Sequence, residues 1–227
     1  MDLTEDAKRF AKNRGADLVG IASIEKFAEA PKDHKPQEYL PSARANVSIA
    51  LRLNYAPVEN LPKSRREYTL NYHIVNRRLG DIVYEISRFL EDHNYEAIPF
   101  VVGSDQKTLF GDISHKHVAY AAGQGEFGLN NLLLTPKYGP RVRFASVLTN
   151  APLNPDSFFE GSLCDECGEC VKICPCGALE GAPKNYSRSR GWRIDKQKCH
   201  HYLNMVLDDL MCGLCIKACP IGKRETS

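Results

Sequence analysis

The first 163 residues contain no cysteine; all nine cysteines lie between positions 164 and 219. A disulfide framework running through the fold is therefore excluded, and an odd number would leave one thiol over in any case. No uninterrupted apolar run approaches the ~18 residues of a membrane span, so no transmembrane helix is expected. The opening MDLTEDAKRF has no apolar leader core and no twin-arginine pair, and the closing GKRETS has no lipidation signal. The expectation is a mature cytoplasmic protein with no membrane partner. A charge excess is missing too. The 30 Lys and Arg against 28 Asp and Glu leave a net charge of +2, without the basic field that drives nucleic-acid binding.

What the chain does have is a composition break. The 43% apolar content over 227 residues is enough for an ordinary core. Near residue 160 a cysteine-free region of alternating strands and helices gives way to a short cysteine-rich module, with NPDSFFEGS (154–162) as the turn-rich junction. The division expected is 1–158 and 159–227. In the first part, a helix over about Thr4 to Asn13 would bury Ala7, Phe10 and Ala11 and stop at Gly15. DLVGIAS, VSIALRL, AIPFVV, LLLT and VRFASVLT read as strands, AIPFVV at an edge because of Pro99. The strongest helical pattern spans about Ser64 to Asp92, with Ile74, Val75, Leu79, Ile82, Val83, Ile86, Phe89 and Leu90 on its apolar face. Ser114 would cap a short helix ending at Gly123.

The cysteines form two related motifs: Cys164-x2-Cys167-x2-Cys170-x3-Cys174-Pro175, and Cys212-x2-Cys215-x3-Cys219-Pro220 preceded by Cys199. The first matches the bacterial ferredoxin run, in which three thiolates hold one 4Fe-4S cluster and the fourth crosses to the other. That logic assigns Cys164, Cys167, Cys170 and Cys219 to one cluster. It assigns Cys174, Cys199, Cys212 and Cys215 to a second. Structural zinc fits less well, because zinc sites pair two C-x2-C knuckles across a spacer. Cys176 is left over and reads as a small buried packing residue. Two fully ligated clusters pass electrons, so bond chemistry would belong to the cysteine-free part.

The most unusual stretch of that part is Gly111 to Leu153. Gly123, Gly125 and Gly128 would let backbone approach something flat or bulky. They match G-x-G-x-x-G, but they follow a helix instead of a strand, so no dinucleotide site is read there. A-G-x-G-E-x-G (122–128), LLLTPKYGPRVRF and LTNAPL, followed by the double-cluster module, resemble the cobalamin-dependent iron-sulfur reductases. That group includes the epoxyqueuosine reductases and reductive dehalogenases. AKNRGADLVGIASIEKF is similar to the family's opening helix and strand.

The resemblance implies an α/β (α+β) nitroreductase-like N-terminal domain and a small bacterial ferredoxin-like double-cluster domain, with base-off cobalamin held between them. It implies that Gly123, Gly125, Gly128, Leu129, Asn130 and Asn131 line the corrin, together with Thr135, Tyr138, Gly139, Arg141, Arg143 and Phe144. It also implies an acidic proton donor ahead of the glycine motif, for which Asp112 is the nearest candidate.

Other residues carry two readings each. His115 and His117, at i and i+2, cannot chelate one metal together; either would approach a cofactor or donate a proton, or form a polar helix start. Tyr120 and Tyr138 are proton donors or packed tyrosines. Arg141 and Arg143 alternate on a strand and would bind cobalamin or an anionic substrate, or make a structural salt bridge. Lys63, Arg65, Arg66, Arg77 and Arg78 read as a solvated helix face or a dock for an acidic electron donor of ferredoxin or flavodoxin type.

The chain stops eight residues after Cys219, without the further helical region of the epoxyqueuosine enzymes, and its charge is near neutral. Both points argue against tRNA as a substrate. The expectation is a reductase that passes electrons through two 4Fe-4S clusters to cobalamin, for reductive cleavage or deoxygenation of an unidentified substrate, with a small molecule or a corrinoid protein as partner. The alternatives are an electron-transfer protein that serves a corrinoid protein or other partner, and FMN in place of the corrin.

Overall fold

A computed structural model describes residues 2–101, 103, 107 and 109–224. In chain order the elements are α1 (Leu3–Asn13), β1 (Leu18–Ser23), α2 (Pro36–Tyr39), β2 (Ala45–Arg52), α3 (Tyr55–Glu59), α4 (Arg65–Glu91) and β3 (Ala97–Phe100). There follow α5 (His115–Ala121), β4 (Glu126–Phe127), β5 (Leu133–Leu134), β6 (Val142–Thr149), α6 (Glu169–Lys172), α7 (Ala182–Asn185), α8 (Lys196–His201) and α9 (Leu214–Ala218). The fold is mixed α/β. No described helix is long and apolar enough to cross a membrane.

The chain divides into two compact units, each assembled from three segments. The first comprises 1–51, 76–124 and 143–159, and the second 52–75, 125–142 and 160–227. Residues 52–75 and 125–142 thus pack with the cysteine module.

In the first unit the sheet order is β1-β2-β6-β3. β1 pairs antiparallel with β2, Gly20 opposite Ser48, and β3 antiparallel with β6, Phe100 opposite Ser146. β3 is an edge strand, as Pro99 requires. The expected AIPFVV strand reached Val102, which lies outside the described residues. β2 and β6 are buried along almost their whole length, which explains their continuous apolar runs. One core cluster gathers Ala22, Phe27, Phe100, Val118, Ala121 and Leu148.

α1 begins where Asp2 accepts a hydrogen bond from the Thr4 N–H. It buries Thr4, Ala7 and Ala11; Phe10 is only half-buried and stacks on Phe89 at 4.7 Å. α4 matches the helix expected from periodicity, with Leu79, Ile82, Val83, Ile86 and Leu90 buried. Ile74 is 54% exposed and does not belong to that face.

α5 is where expected, but Ser114 does not cap it with its side chain. Its hydroxyl is 2.7 Å from His117 Nδ1 instead. Arg65, expected on a solvated face, is half-buried and donates to the carbonyls of Met211 (3.3 Å) and Cys212 (3.0 Å).

Candidate functional site

The second unit holds all nine cysteines, and its core is built around them. Cys164, Cys170 and Cys219 are buried with Leu129, Leu134, Leu179 and Ala182. One cavity is lined by Cys164, Cys167, Cys170 and Cys219, with Gly128, Leu134 and Ile221 among its other walls. Those are the four thiols that motif logic assigns to the first cluster.

The electrostatic neighbourhoods follow the two sets only in part. Burial pushes the Cys170 thiol up to about 12, and its like-charge neighbours are first Cys219, then Cys164 and Cys167. Burial raises Cys215 as well, with Cys212, Cys199, Cys174 and, from the other set, Cys170 adding to the effect. Burial pushes Cys199 up to about 11, and Cys176, Cys212 and Cys174 reinforce it. Neutral thiols crowded in this way give up their protons only to a strongly cationic group, as metal ligation requires.

Among the described residues, no three His, Cys, Asp or Glu side chains converge closely enough to hold a single metal ion. Tetrahedral zinc would need four ligands within about 2.3 Å of one point. Four thiols spread around a cavity fit the larger iron-sulfur cube. Cys176 is half-buried beside the second set, its sulfur 3.8 Å from that of Cys174, and not an isolated packing residue.

Three basic side chains hold the main chain at three of the cysteines. Arg141, 3% exposed, lies just before β6. Its Nε and Nη2 donate to Glu59 Oε1 at 3.0 and 2.8 Å. Its Nη1 donates to the Ile221 carbonyl at 2.8 Å, and its Nη2 to those of Cys219 (3.1 Å) and Lys217 (3.3 Å). Arg188 donates to the Cys164 carbonyl at 3.1 Å. Arg65, already described, reaches Cys212.

The buried Glu126 carboxylate supplies the opposite charge. One of its oxygens accepts the N–H groups of Leu163 (2.7 Å) and Cys164 (2.8 Å), fixing the entry to the first motif. Reading the sequence alone missed the roles of Glu126, Glu59 and Arg65. Only Glu126 carried a signal, as the acidic member of A-G-x-G-E-x-G.

The glycine-rich stretch packs largely against the chain itself. A side chain at Gly123 would collide with the Ser157 carbonyl, and one at Gly125 with that of Leu134. Gly128 sits against Leu134 and Asn130. Leu129 offers its carbonyl to Trp192 Nε1 (3.0 Å), Asn130 donates to the Cys215 carbonyl (3.4 Å), and Asn131 accepts the Trp192 N–H (3.0 Å). Thr135 and Gly139 close a tight turn on each other, with Tyr138 half-buried inside it. Gly139 lies directly against the Ile221 carbonyl.

The close approaches that the glycines permit at Gly123, Gly125 and Gly139 are therefore to protein backbone. Arg141 and Arg143 do not act together either. Arg141 makes the salt bridge just described, while Arg143 Nε donates to Asn76 Oδ1 at 3.1 Å. Phe144 is a core residue of β6.

The expected proton donors do not form one constellation. Asp112 is exposed, and its carbonyl, not its carboxylate, meets His34 Nδ1 (3.0 Å) and the Tyr39 hydroxyl (3.4 Å). His115 Nδ1 is 2.9 Å from the Ser146 hydroxyl and its Nε2 is 3.2 Å from the Val101 carbonyl. Nε2 therefore carries the proton and Nδ1 accepts from Ser146. Burial pushes its pKa down to about 4, and the Arg143 charge adds to that against the hydrogen bond to Val101. Burial and the hydrogen bond accepted from Ser146 both favour the neutral imidazole. His117 is exposed, and Tyr120 packs against Phe158 with ring centroids 5.2 Å apart.

The chain is similar to known proteins along nearly its whole length. Residues 163–223 match a 4Fe-4S dicluster domain. An epoxyqueuosine reductase of Bacillus cereus is 27% identical over 90% of this chain and 57% of its own length. A tetrachloroethene reductive dehalogenase of Sulfurospirillum multivorans is 27% identical over 89% of this chain and 47% of its own. The chain spans about half the length of these curated relatives.

Among solved structures, an epoxyqueuosine reductase superposes with a TM-score of 0.71 at 23% identity, covering 97% of this chain and 65% of that one. A reductive dehalogenase, described with a mechanism for B12-dependent dehalogenation, superposes at 0.72 and 21% identity, covering 98% of this chain and 32% of that one. The fold is also that of an epoxyqueuosine reductase solved with an epoxyqueuosine-modified tRNA-Tyr stem loop (TM-score 0.63, 20% identity, 97% and 65% covered). The expectation that argued against tRNA is corrected by these relatives. Net charge and the stopping point of the chain were no grounds for excluding it.

Proposed function

With epoxyqueuosine reductases and reductive dehalogenases as its homologues, we propose that this chain is an iron-sulfur reductase that works with cobalamin on a substrate reduced by bond cleavage or deoxygenation. The observation that supports the proposal is the gathering of Cys164, Cys167, Cys170 and Cys219 around one cavity, within a stretch that matches a 4Fe-4S dicluster domain. When bound, the clusters would supply single electrons and the cobalamin a low-valent cobalt centre.

The chain's own part begins with the ligands. Cys164, Cys167, Cys170 and Cys219 hold one cluster; Cys174, Cys199, Cys212 and Cys215 hold the other. Glu126, Arg141, Arg188 and Arg65 fix the backbone that carries them. The cobalamin reading rests on the relatives. Gly123, Gly125, Gly128 to Asn131, Thr135, Tyr138, Gly139, Arg141, Arg143 and Phe144 stay as the residues proposed to line it. Asp112, His117 and Tyr120 stay as proton-donor proposals, and His115 as a proposed neutral group near the cofactor. A nitroreductase-like ancestry for the first unit, a cytoplasmic setting and a small electron-donor protein belong to the same reading. The substrate class includes epoxyqueuosine in tRNA alongside organohalides.

The test is anaerobic purification, reconstitution with iron and sulfide, incubation with hydroxocobalamin and gel filtration, followed by metal analysis and EPR. About eight irons and one retained base-off cobalt per chain are expected, with turnover of an epoxyqueuosine-bearing stem loop or an organohalide as the next screen. Eight irons without retained cobalt would leave an electron-transfer protein. A flavin spectrum would replace the corrin by FMN.

A further inference from the structure

We propose that the Arg141–Glu59 pair sets the reduction potential of the first cluster, with Arg141 as a positioning residue that acts through Cys219. The inference rests on the ligand assignment made above.

The pair is unusual in three respects. First, Arg141 is nearly inaccessible: its side chain is 4% exposed, against 23% for Glu59. Second, its donors are divided. Nε and part of Nη2 answer the carboxylate, while Nη1 and the rest of Nη2 point to the carbonyls of Lys217, Cys219 and Ile221. Third, those carbonyls bracket a proposed cluster ligand, and Cys219 lines the same cavity as Cys164, Cys167 and Cys170. The turn from Thr135 to Gly139 sits backbone to backbone on Ile221 and Gly222, so the guanidinium is held in place from both sides.

Charge near a cluster, its hydrogen bonding and its burial set its potential. One-electron reduction adds one negative charge to the cluster, and no bond is made or broken. A buried cation beside a ligand favours the reduced form and raises the potential. Glu59 opposes this, but its more exposed carboxylate is better screened by water. The pair therefore acts as a graded source. Removing the cation lowers the potential, and removing only the anion raises it. A purely structural latch would respond to both changes in one direction, by loosening the ligand loop.

The experiment is an EPR-monitored redox titration of the anaerobically reconstituted full chain, as wild type, R141K, R141M and E59Q, with iron measured for each. The expected result is that R141M lowers the midpoint of one of the two clusters while E59Q raises it, with R141K between R141M and wild type. Poised at the wild-type midpoint, the reduced-to-oxidised ratio of that cluster in R141M should fall about tenfold, which is 59 mV for one electron. The second cluster should not move. If R141M cannot retain iron, the opposite shifts of E59Q and R141K still decide the matter. Unchanged midpoints, or shifts of the same sign in R141M and E59Q with both clusters present, overturn the inference alone. A wild-type chain that takes up no clusters overturns the ligand assignment, and this inference with it.

Discussion

His115 shows how a single residue can be legible in type but not in role. Its position at the start of a helix, two residues from His117, suggested a proton donor. Burial, and the hydrogen bond accepted from Ser146, favour the neutral imidazole. The consequence is a pH dependence of stability. In the unfolded chain the imidazole titrates near 6.5, and in the fold near 4. Between those values the unfolded chain binds more protons, so this contribution is complete above pH 6.5 and is lost as pH falls toward 4. At about 1.4 kcal/mol per pKa unit, the loss reaches at most about 3 kcal/mol. Thermal unfolding of wild type and His115→Gln between pH 7 and 4 should show the steeper fall in wild type; parallel curves would rule this out. Glu126 makes the opposite point, since its letter stood in the glycine motif but its two N–H partners lie 37 and 38 positions away. Glu126→Ala should lower cluster content in iron analysis, with a cost of about 1–3 kcal/mol for the two unpaired donors.

Among the elements, α4 and the strands were readable because period and continuity are local properties. The 3- and 4-residue spacing placed α4 within one residue at each end. It could not say which members of a broad stripe meet the core. Leu79 is fully buried and Ile74 is 54% exposed. Leu79→Ala should therefore lower stability by about 2–5 kcal/mol, and Ile74→Ala by no more than about 0.5 kcal/mol. Denaturant midpoints would compare them directly, and equal losses would contradict the burial. LLLT marked β5, but its partner β4 escaped notice because a two-residue strand leaves no periodic trace. The glycines between α5 and β5 carried a true signal of close approach, but not of what is approached. A positive φ and an absent Cβ serve a protein carbonyl as well as a cofactor.

For the whole molecule, the cysteine spacing was the most informative feature, since four thiols around a cube impose their order on the sequence. Cys199→Ala or Cys174→Ala should cost about four of eight irons, and Cys176→Ala close to none. Iron and sulfide analysis checks this, and equal loss in all three would place Cys176 among the ligands. The arrangement of segments was not legible, because nothing in the composition of 52–75 or 125–142 marks them as companions of a module that begins at 160. Expressed alone, residues 159–227 would lack Glu59, Glu126 and Arg141, and should bind markedly less iron than the full chain under the same reconstitution.

The interleaving of segments also has a consequence for synthesis on the ribosome. The chain passes from one unit to the other five times, at the joins 51/52, 75/76, 124/125, 142/143 and 159/160. The first unit cannot close until residue 159 has left the exit tunnel. By then the segments 52–75 and 125–142 have been made and wait for a partner still being translated. Cys219, which completes the first proposed set of thiols, emerges 49 residues after Cys170. A nascent chain stalled between residues 170 and 219 would carry every segment of the first unit but only three of the four thiols of that set.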